Sequence, residues 1–184
     1  DFFFNLSAAP QIYNPSLHDA LPILEMGYWK QTAKSKNRFF NLDIDTVKEV
    51  TGKQGKNNVS VMIDYSYCSK DLNDYPTDNQ NEIKMIRMTC RKDMVKEGFD
   101  FAVKLKKHTN LEIAFNLFNT TNYTDIELNS ALDIVLDSDF DIIGFADTHG
   151  HLNLHKDIKR YEHFFKRIKD SGKNTCFQDR KSVV

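Results

Sequence analysis

The chain has 184 residues, of which 40% are hydrophobic, and its 25 basic and 26 acidic residues give a formal net charge of −1. A chain of this length can bury one sizeable core, which favours a single domain. The balanced charge argues against nucleic acid or an anionic membrane as a partner, and no apolar run in the sequence is long enough to cross a bilayer. We therefore expect chemistry on a small molecule.

The three cysteines, Cys68, Cys90 and Cys176, are odd in number and form no C-x-x-C pair. This usage argues against a disulfide framework and against a zinc knuckle, and it is typical of a reducing compartment. The sequence thus predicts a cytoplasmic location.

Both ends of the chain are predicted to be foreign to its fold. The peptide at 18–23 and the last six residues can be encoded as reverse complements of one short sequencing adapter. We interpret 1–23 as a non-native segment of unknown origin plus adapter-like peptide, and 178–184 as an adapter-like tail. Residues 24–177 are then the product of one gene, and only they enter the fold prediction.

Strand and helix patterns alternate along the remaining chain. Strands are predicted at 24–29, 59–65, 83–90, 111–117, 142–146 and 174–177, and helices at 43–54, 93–108, 124–136 and 156–169. Such alternation implies right-handed βαβ units and a parallel sheet. The predicted fold is α/β: a partial (β/α)8 TIM barrel of about six strand–helix units that lacks the first and last strands. A doubly wound sheet is the alternative, but no Gly-rich phosphate loop follows any strand.

The chemistry is expected around the stretch 139–152. Its apolar run, Ile142 to Ala146, predicts a strand buried on both faces. Asp147, Thr148 and His149 follow at the carboxyl end, where parallel barrels and open α/β sheets carry their active sites.

Three short motifs resemble one enzyme superfamily: Glu25-Met26-Gly27-Tyr28, Ile86-Arg87-Met88, and the heptapeptide Gly-Phe-Ala-Asp-Thr-His-Gly that ends at Gly150. In this order they are similar to the metal-dependent pyruvate-type aldolases and acyl lyases, which include 4-hydroxy-2-oxovalerate aldolase and hydroxymethylglutaryl-CoA lyase. The resemblance implies a barrel in which a divalent metal, Mg or Mn, binds a 2-oxo acid or related carbonyl substrate. The metal would stabilise the enolate formed when a carbon–carbon bond breaks or forms.

The resemblance also implies roles for individual residues. Asp147 and Thr148 would be catalytic hydrogen-bonding groups, Glu25 would orient ligands or water, and the substrate-binding set would be Arg87, Tyr28 and Asn116. A guanidinium fork matches a substrate carboxylate. An equally good interpretation places Arg87 in a structural ion-pair layer within the barrel.

In the superfamily the metal ligands are an Asp of an Arg-Asp motif on the first strand and two His of a His-x-His motif on the seventh. Here the first strand is missing, and Gln178 stands where the first His is expected. We hypothesise that Gln178 is a His codon completed by an adapter base. No competent metal site and no cofactor are therefore expected in this chain, which should be inactive as it stands. The intact enzyme would act on a small carbonyl compound and could be oligomeric.

Two other functions stay open. Asp147, His149 and His151 also fit the D-x-H-x-H motif of metal-dependent barrel hydrolases, although that motif usually lies on the first strand. The chain could also be a non-catalytic fragment.

Overall fold

The structure is a computed structural model that describes residues 24–30, 37–51, 59–78 and 82–179. The strands and α-helices of these ranges are, in chain order, β1 (Leu24–Tyr28), α1 (Ile44–Thr51), β2 (Val59–Asp64), β3 (Ile83–Cys90), α2 (Val95–Thr109), β4 (Glu112–Leu117), α3 (Asp125–Val135), β5 (Ile142–Asp147), α4 (Leu154–Asp170) and β6 (Asn174–Asp179). No helix within the described ranges combines the length and the apolarity that a membrane crossing needs.

The six described strands form one parallel sheet whose spatial order is the order of the chain. Right-handed crossovers in an unbroken sequential order keep the helices on one face, as in a (β/α) barrel, whereas a doubly wound sheet reverses its order at a switch point. The α/β prediction is confirmed, and the sheet is compatible with a partial barrel. The connection from β2 to β3 is the exception to the alternation, since its described part holds the 3₁₀ turn Leu72–Asp74 and no α-helix.

The helix-facing side of the sheet makes the apolar core. Alternate strand residues such as Ile63, Met88, Phe115 and Phe145 pack against the inward stripes of the helices. On α4 this stripe includes Tyr161, Phe164 and Phe165, whose rings surround Phe145 at centroid distances of 5.3–6.4 Å. Aromatic packing of this kind fixes how each helix lies on the strands.

Local sequence signals set the helix ends. Thr124 and Glu127 form the capping box predicted for α3, with the Thr124 side chain accepting from the Glu127 N–H and the Glu127 side chain accepting from the Thr124 N–H. Helix α2 ends at Thr109 and is followed by the cap residue Asn110, whose φ of 57° is left-handed. It begins at Val95 and not at 93, because 3₁₀ geometry occupies Lys92–Met94.

Gly27 makes a bulge in β1. Its φ is +148°, and a Cβ at this position would lie 2.3 Å from the Phe39 carbonyl oxygen. The pairing of β1 with β2 shifts between Glu25 and Tyr28, which is where the bulge falls. Only glycine allows the chain after β1 to approach the strand this closely.

The predicted foreign segments lie mostly outside the described residues, as 1–23 and 180–184 do. Gln178 and Asp179 are described, and they extend β6 beyond the predicted 174–177 by pairing with Ala146 and Asp147. Backbone pairing does not depend on side-chain identity, so the domain boundaries drawn from the adapter pattern stay a prediction.

Candidate functional site

The face of the sheet opposite the helices carries polar side chains. Arg87, in the middle of β3, donates through Nη2 to Glu25 Oε1 at 2.6 Å, and the same nitrogen lies 2.8 Å from Met62 Sδ. The contact crosses β2, because Glu25 is on β1 and Met62 is on the strand between. The Arg87 side chain is 10% exposed and that of Glu25 is 33% exposed, so the ion pair opens towards solvent on the Glu25 side.

Burial raises the pKa of Glu25, and the charge and hydrogen bond of Arg87 oppose that rise. A carboxyl group with a raised pKa holds a proton more readily near neutral pH than an ordinary glutamate does.

We call the face of the sheet opposite the helices the inner face. Three residues on neighbouring strands lie next to one another there: Asn116, Gly144 and Cys176. They are paired in register across β4, β5 and β6, and the Cys176 thiol donates to Asn116 Oδ1 at 3.3 Å. A Cβ on Gly144 would lie 2.2 Å from Asn116 Oδ1 and 2.3 Å from Cys176 Sγ. Gly144 is therefore required for the side chains on either side to approach each other.

The ion pair and the amide lie side by side on this face of the sheet. Burial raises the pKa of the Cys176 thiol to about 11, and the charges of Arg87 and Glu25 also act on that thiol. Arg87 lies two residues before Thr89, the register partner of Asn116, so Arg87 and Asn116 are diagonal neighbours on one face. We call Glu25, Arg87, Asn116 and Cys176 the inner-face cluster.

Two donors of this cluster lack an acceptor in the described part of the chain: Arg87 Nε and Asn116 Nδ2, both buried. Asn116 is fully buried and Arg87 is 8% exposed. Unpaired buried N–H groups are rare in folded proteins, since each costs about 1–3 kcal/mol. They mark a place where a ligand or water oxygen is expected to bind.

The carboxylate of Asp147, by contrast, already accepts hydrogen bonds from the turn that follows it. It is fully buried at the end of β5 and accepts the backbone N–H of His151 at 3.0 Å and that of Leu152 at 2.7 Å. Thr121 Oγ1 also lies 3.4 Å from Asp147 Oδ1. These bonds set the shape of the β5–α4 turn, and a substrate-facing role for Asp147 stays a prediction.

Thr148 connects this turn to the neighbouring one. Its Oγ1 accepts the backbone N–H of Asn119 at 3.2 Å, which ties the β5–α4 turn to the β4–α3 turn. Both turns lie at the carboxyl edge of the sheet, together with Asp64 at the end of β2 and Asn116 near the end of β4. Glu25 and Arg87 lie deeper, within their strands.

The remaining predicted residues have simpler surroundings. Tyr28 is half-buried and packs against the ring of Phe40 at a centroid distance of 5.1 Å. His149 and His151 follow the end of β5, both exposed, with ring centroids 5.7 Å apart. They belong to the turn and not to a strand face, so they do not present the alternating pair that the hydrolase motif requires.

Within the described ranges, no three His, Cys, Asp or Glu side chains come close enough together to hold a metal ion. Gln178 pairs with Ala146 in β6 and brings a carboxamide to the expected ligand position. A carboxamide is a weaker ligand than imidazole for such a metal. The divalent metal that the resemblance implies therefore does not fit the residues present here.

Sequence reasoning did not identify the role of Gly144. The signal was a glycine in the interior of a strand predicted to be buried, a position that often marks a close approach of another group. What the sequence could not show is which groups approach, since Asn116 and Cys176 lie 28 residues before and 32 residues after it.

No family model matches the chain, and no curated protein sequence matches it. Among solved structures, the chain is similar to the crystal structure of the N-terminal domain of a putative aldolase from Bacteroides vulgatus. That match has 16% sequence identity and a TM-score of 0.50 and covers 84% of this chain. The chain spans half the length of the matched one. At this identity the similarity concerns the fold alone.

Proposed function

We propose that this chain is part of a carbon–carbon lyase of the aldolase kind and that its inner-face cluster binds the carbonyl substrate, a 2-oxo acid or a related compound. The observation that carries the proposal is the pair of buried donors without acceptors, Arg87 Nε and Asn116 Nδ2. The fold shared with an aldolase domain supports it.

The chemistry of the cluster suits such a substrate. A 2-oxo acid offers a carboxylate and a carbonyl oxygen, both acceptors, and the cluster offers a guanidinium N–H and an amide N–H on adjacent strands. Glu25 is paired with the same guanidinium and has a raised pKa, which favours proton transfer to or from the bound molecule.

Binding of pyruvate to the purified chain tests the proposal by ligand-observed NMR. The informative variant is Arg87→Met, which keeps the length of the side chain and removes every N–H donor. The matched control is Lys84→Met on the same strand, whose side chain is half exposed and pairs with Glu112. Hydrogen bonds to charged groups are worth about 1.5–3 kcal/mol, so Arg87→Met should weaken binding roughly tenfold or more while the control leaves it unchanged.

Circular dichroism of each variant establishes that the fold is retained. If Arg87→Met unfolds the chain, Asn116→Asp replaces the second N–H donor with an oxygen at almost unchanged side-chain volume. Equal pyruvate binding by the folded variants and the wild type, or a wild type that does not bind pyruvate, would contradict the proposal.

A further inference from the structure

The loop that follows β2 brings a thiol group and an amine together. Lys70 Nζ donates to Cys68 Sγ at 3.4 Å. The sulfur atoms of Cys90 and Cys176 instead donate to oxygen atoms, a backbone carbonyl oxygen at 3.1 Å and a side-chain amide oxygen at 3.3 Å. Cys68 is therefore distinguished from the other two cysteines by a nucleophilic nitrogen beside its sulfur.

One carbonyl group holds both side chains in place. The carbonyl oxygen of Tyr65 accepts from Cys68 Sγ at 3.7 Å and also from Lys70 Nζ. The same amine lies 3.7 Å from the centroid of the Tyr65 ring, which is a cation–π contact. The carbonyl group and the ring of Tyr65 together direct the exposed Lys70 side chain back onto the buried thiol group.

The backbone between the two residues is fixed as well. Ser69 lies between them, and its carbonyl oxygen accepts from the Tyr75 hydroxyl group at 2.6 Å while its own hydroxyl group donates to Asp74 Oδ2 at 2.6 Å. The backbone N–H of Cys68 donates to the Asp64 carbonyl oxygen at 2.8 Å. These bonds hold the turn in a shape in which the sulfur and the amine are already neighbours.

Burial decides which nucleophile can reach this sulfur after oxidation. Cys68 is 3% exposed, so a thiol of the size of glutathione is kept away from it, whereas hydrogen peroxide is hardly larger than water. A nucleophile that is already held beside the reacting atom acts like a very high concentration of the same group in solution. Lys70 is therefore the group that is placed to react with an oxidised Cys68.

We propose that hydrogen peroxide cross-links Cys68 to Lys70 through a sulfenamide bond between Sγ and Nζ. In the first step the thiol is oxidised by two electrons to a sulfenic acid: a sulfur–oxygen bond forms, the oxygen–oxygen bond of the peroxide breaks, and its second oxygen leaves as water. In the second step the unprotonated amine attacks the sulfur, and the hydroxyl group leaves as water with one proton of the amine. One thiol, one amine and one peroxide thus give one sulfenamide and two waters. This modification does not rest on the proposed lyase function.

Peptide mapping of the full chain tests the proposal. The chain is treated with hydrogen peroxide in mildly alkaline buffer, free thiols are blocked with iodoacetamide, and a trypsin digest is analysed by tandem mass spectrometry. Trypsin normally cuts after Lys70 and gives the peptides 57–70 and 71–84. A bond to Nζ removes the side chain that trypsin recognises. The expected product is therefore the uncut peptide 57–84, with a loss of two hydrogen atoms located at 68–70. Dithiothreitol should restore the cut.

The informative variant is Lys70→Arg, which keeps the positive charge and replaces the amine with a guanidinium group that stays protonated and does not attack sulfur. The matched control is Lys96→Arg, the same change at an exposed lysine that pairs with Asp100. We expect the cross-linked peptide to be lost in Lys70→Arg and to form in Lys96→Arg as in the wild type. Circular dichroism establishes that each variant is folded, and the map of the wild type decides the proposal even if Lys70→Arg does not fold.

Complete cleavage after Lys70, at a peroxide concentration that oxidises free cysteine, would overturn the proposal. Oxidation of Cys68 to the sulfinic or sulfonic acid without a bond to Lys70 would overturn it too. An oxygen atom located between the sulfur and the nitrogen would contradict the direct bond, and a cross-link that persists in Lys70→Arg would contradict the role of the amine.

Discussion

Gly144 lies so close to Asn116 that a single added methyl group would come within 2.2 Å of the amide oxygen. We therefore expect Gly144→Ala to destabilise the chain by about 1–3 kcal/mol, the usual cost of overpacking a well-packed site. Urea denaturation followed by circular dichroism measures the change. In the Cys176→Ala background the same substitution should cost less, because one of the two blocking atoms is gone; an identical cost in both backgrounds would refute the packing explanation.

We expect Asp147 to contribute mainly to the stability of the fold, and less through the negative charge that it places at the sheet edge. Asp147→Asn leaves one carbonyl oxygen where two carboxylate oxygens accept the N–H groups of His151 and Leu152. The expected loss is about 1–3 kcal/mol, the cost of a buried donor without its acceptor. Chemical denaturation measures it, with His149→Ala as a control on an exposed residue of the same turn. A stable Asp147→Asn variant would show that the turn does not depend on these bonds.

The thiols of Cys90 and Cys176 should be unreactive in the folded chain. Burial raises the pKa of Cys90 from its ordinary 9.0 to about 12, and that of Cys176 to about 11. At pH 8 their thiolate fractions fall about a thousandfold and about a hundredfold below that of an ordinary cysteine, and only the thiolate attacks. Labelling with Ellman's reagent should therefore be slow without denaturant and rapid in guanidinium. Rapid labelling of either residue in single-cysteine variants of the folded chain would contradict these raised pKa values.

The stability that the start of α3 gives to the fold should depend on pH, because it depends on the charge of Glu127. The hydrogen bond from Lys92, followed by those within the capping box, lowers the pKa of Glu127 from 4.5 to about 2. A lowered folded-state pKa means that the stabilisation is complete above pH 4.5 and is lost as the pH falls towards 2. Melting temperatures of the wild type and Glu127→Gln should therefore differ at pH 7 and converge near pH 2. A difference that does not change with pH would point to a cause other than the charge.

Much of the fold could be predicted because its signals are local. Strand β3 occupies the predicted residues 83–90, and the capping box at Thr124 and Glu127 can be recognised from four consecutive residues. The order of the strands in the sheet could be predicted from the alternation of strands and helices alone, because right-handed connections allow only a few topologies.

The candidate site was less predictable because its contacts are not local. Glu25 and Arg87 are 62 residues apart, and their contact depends on how β1, β2 and β3 are aligned side by side. The partners of Asp147 are backbone N–H groups of a turn, and turn geometry is not encoded in the apolar pattern that identified the strand. A carboxylate after a strand looks the same in sequence whether it braces a turn or contacts a substrate.

The sequential order of the strands has a consequence for how the protein forms. Each of the six described strands after the first pairs with the one made just before it, so within this part of the chain the sheet forms without a pairing to a distant strand. Pairing successive strands closes shorter loops than pairing distant strands would, and the entropy cost of closing a loop grows with its length. During synthesis the sheet can therefore grow one strand at a time as the chain leaves the ribosome, with each new helix covering the strands already in place.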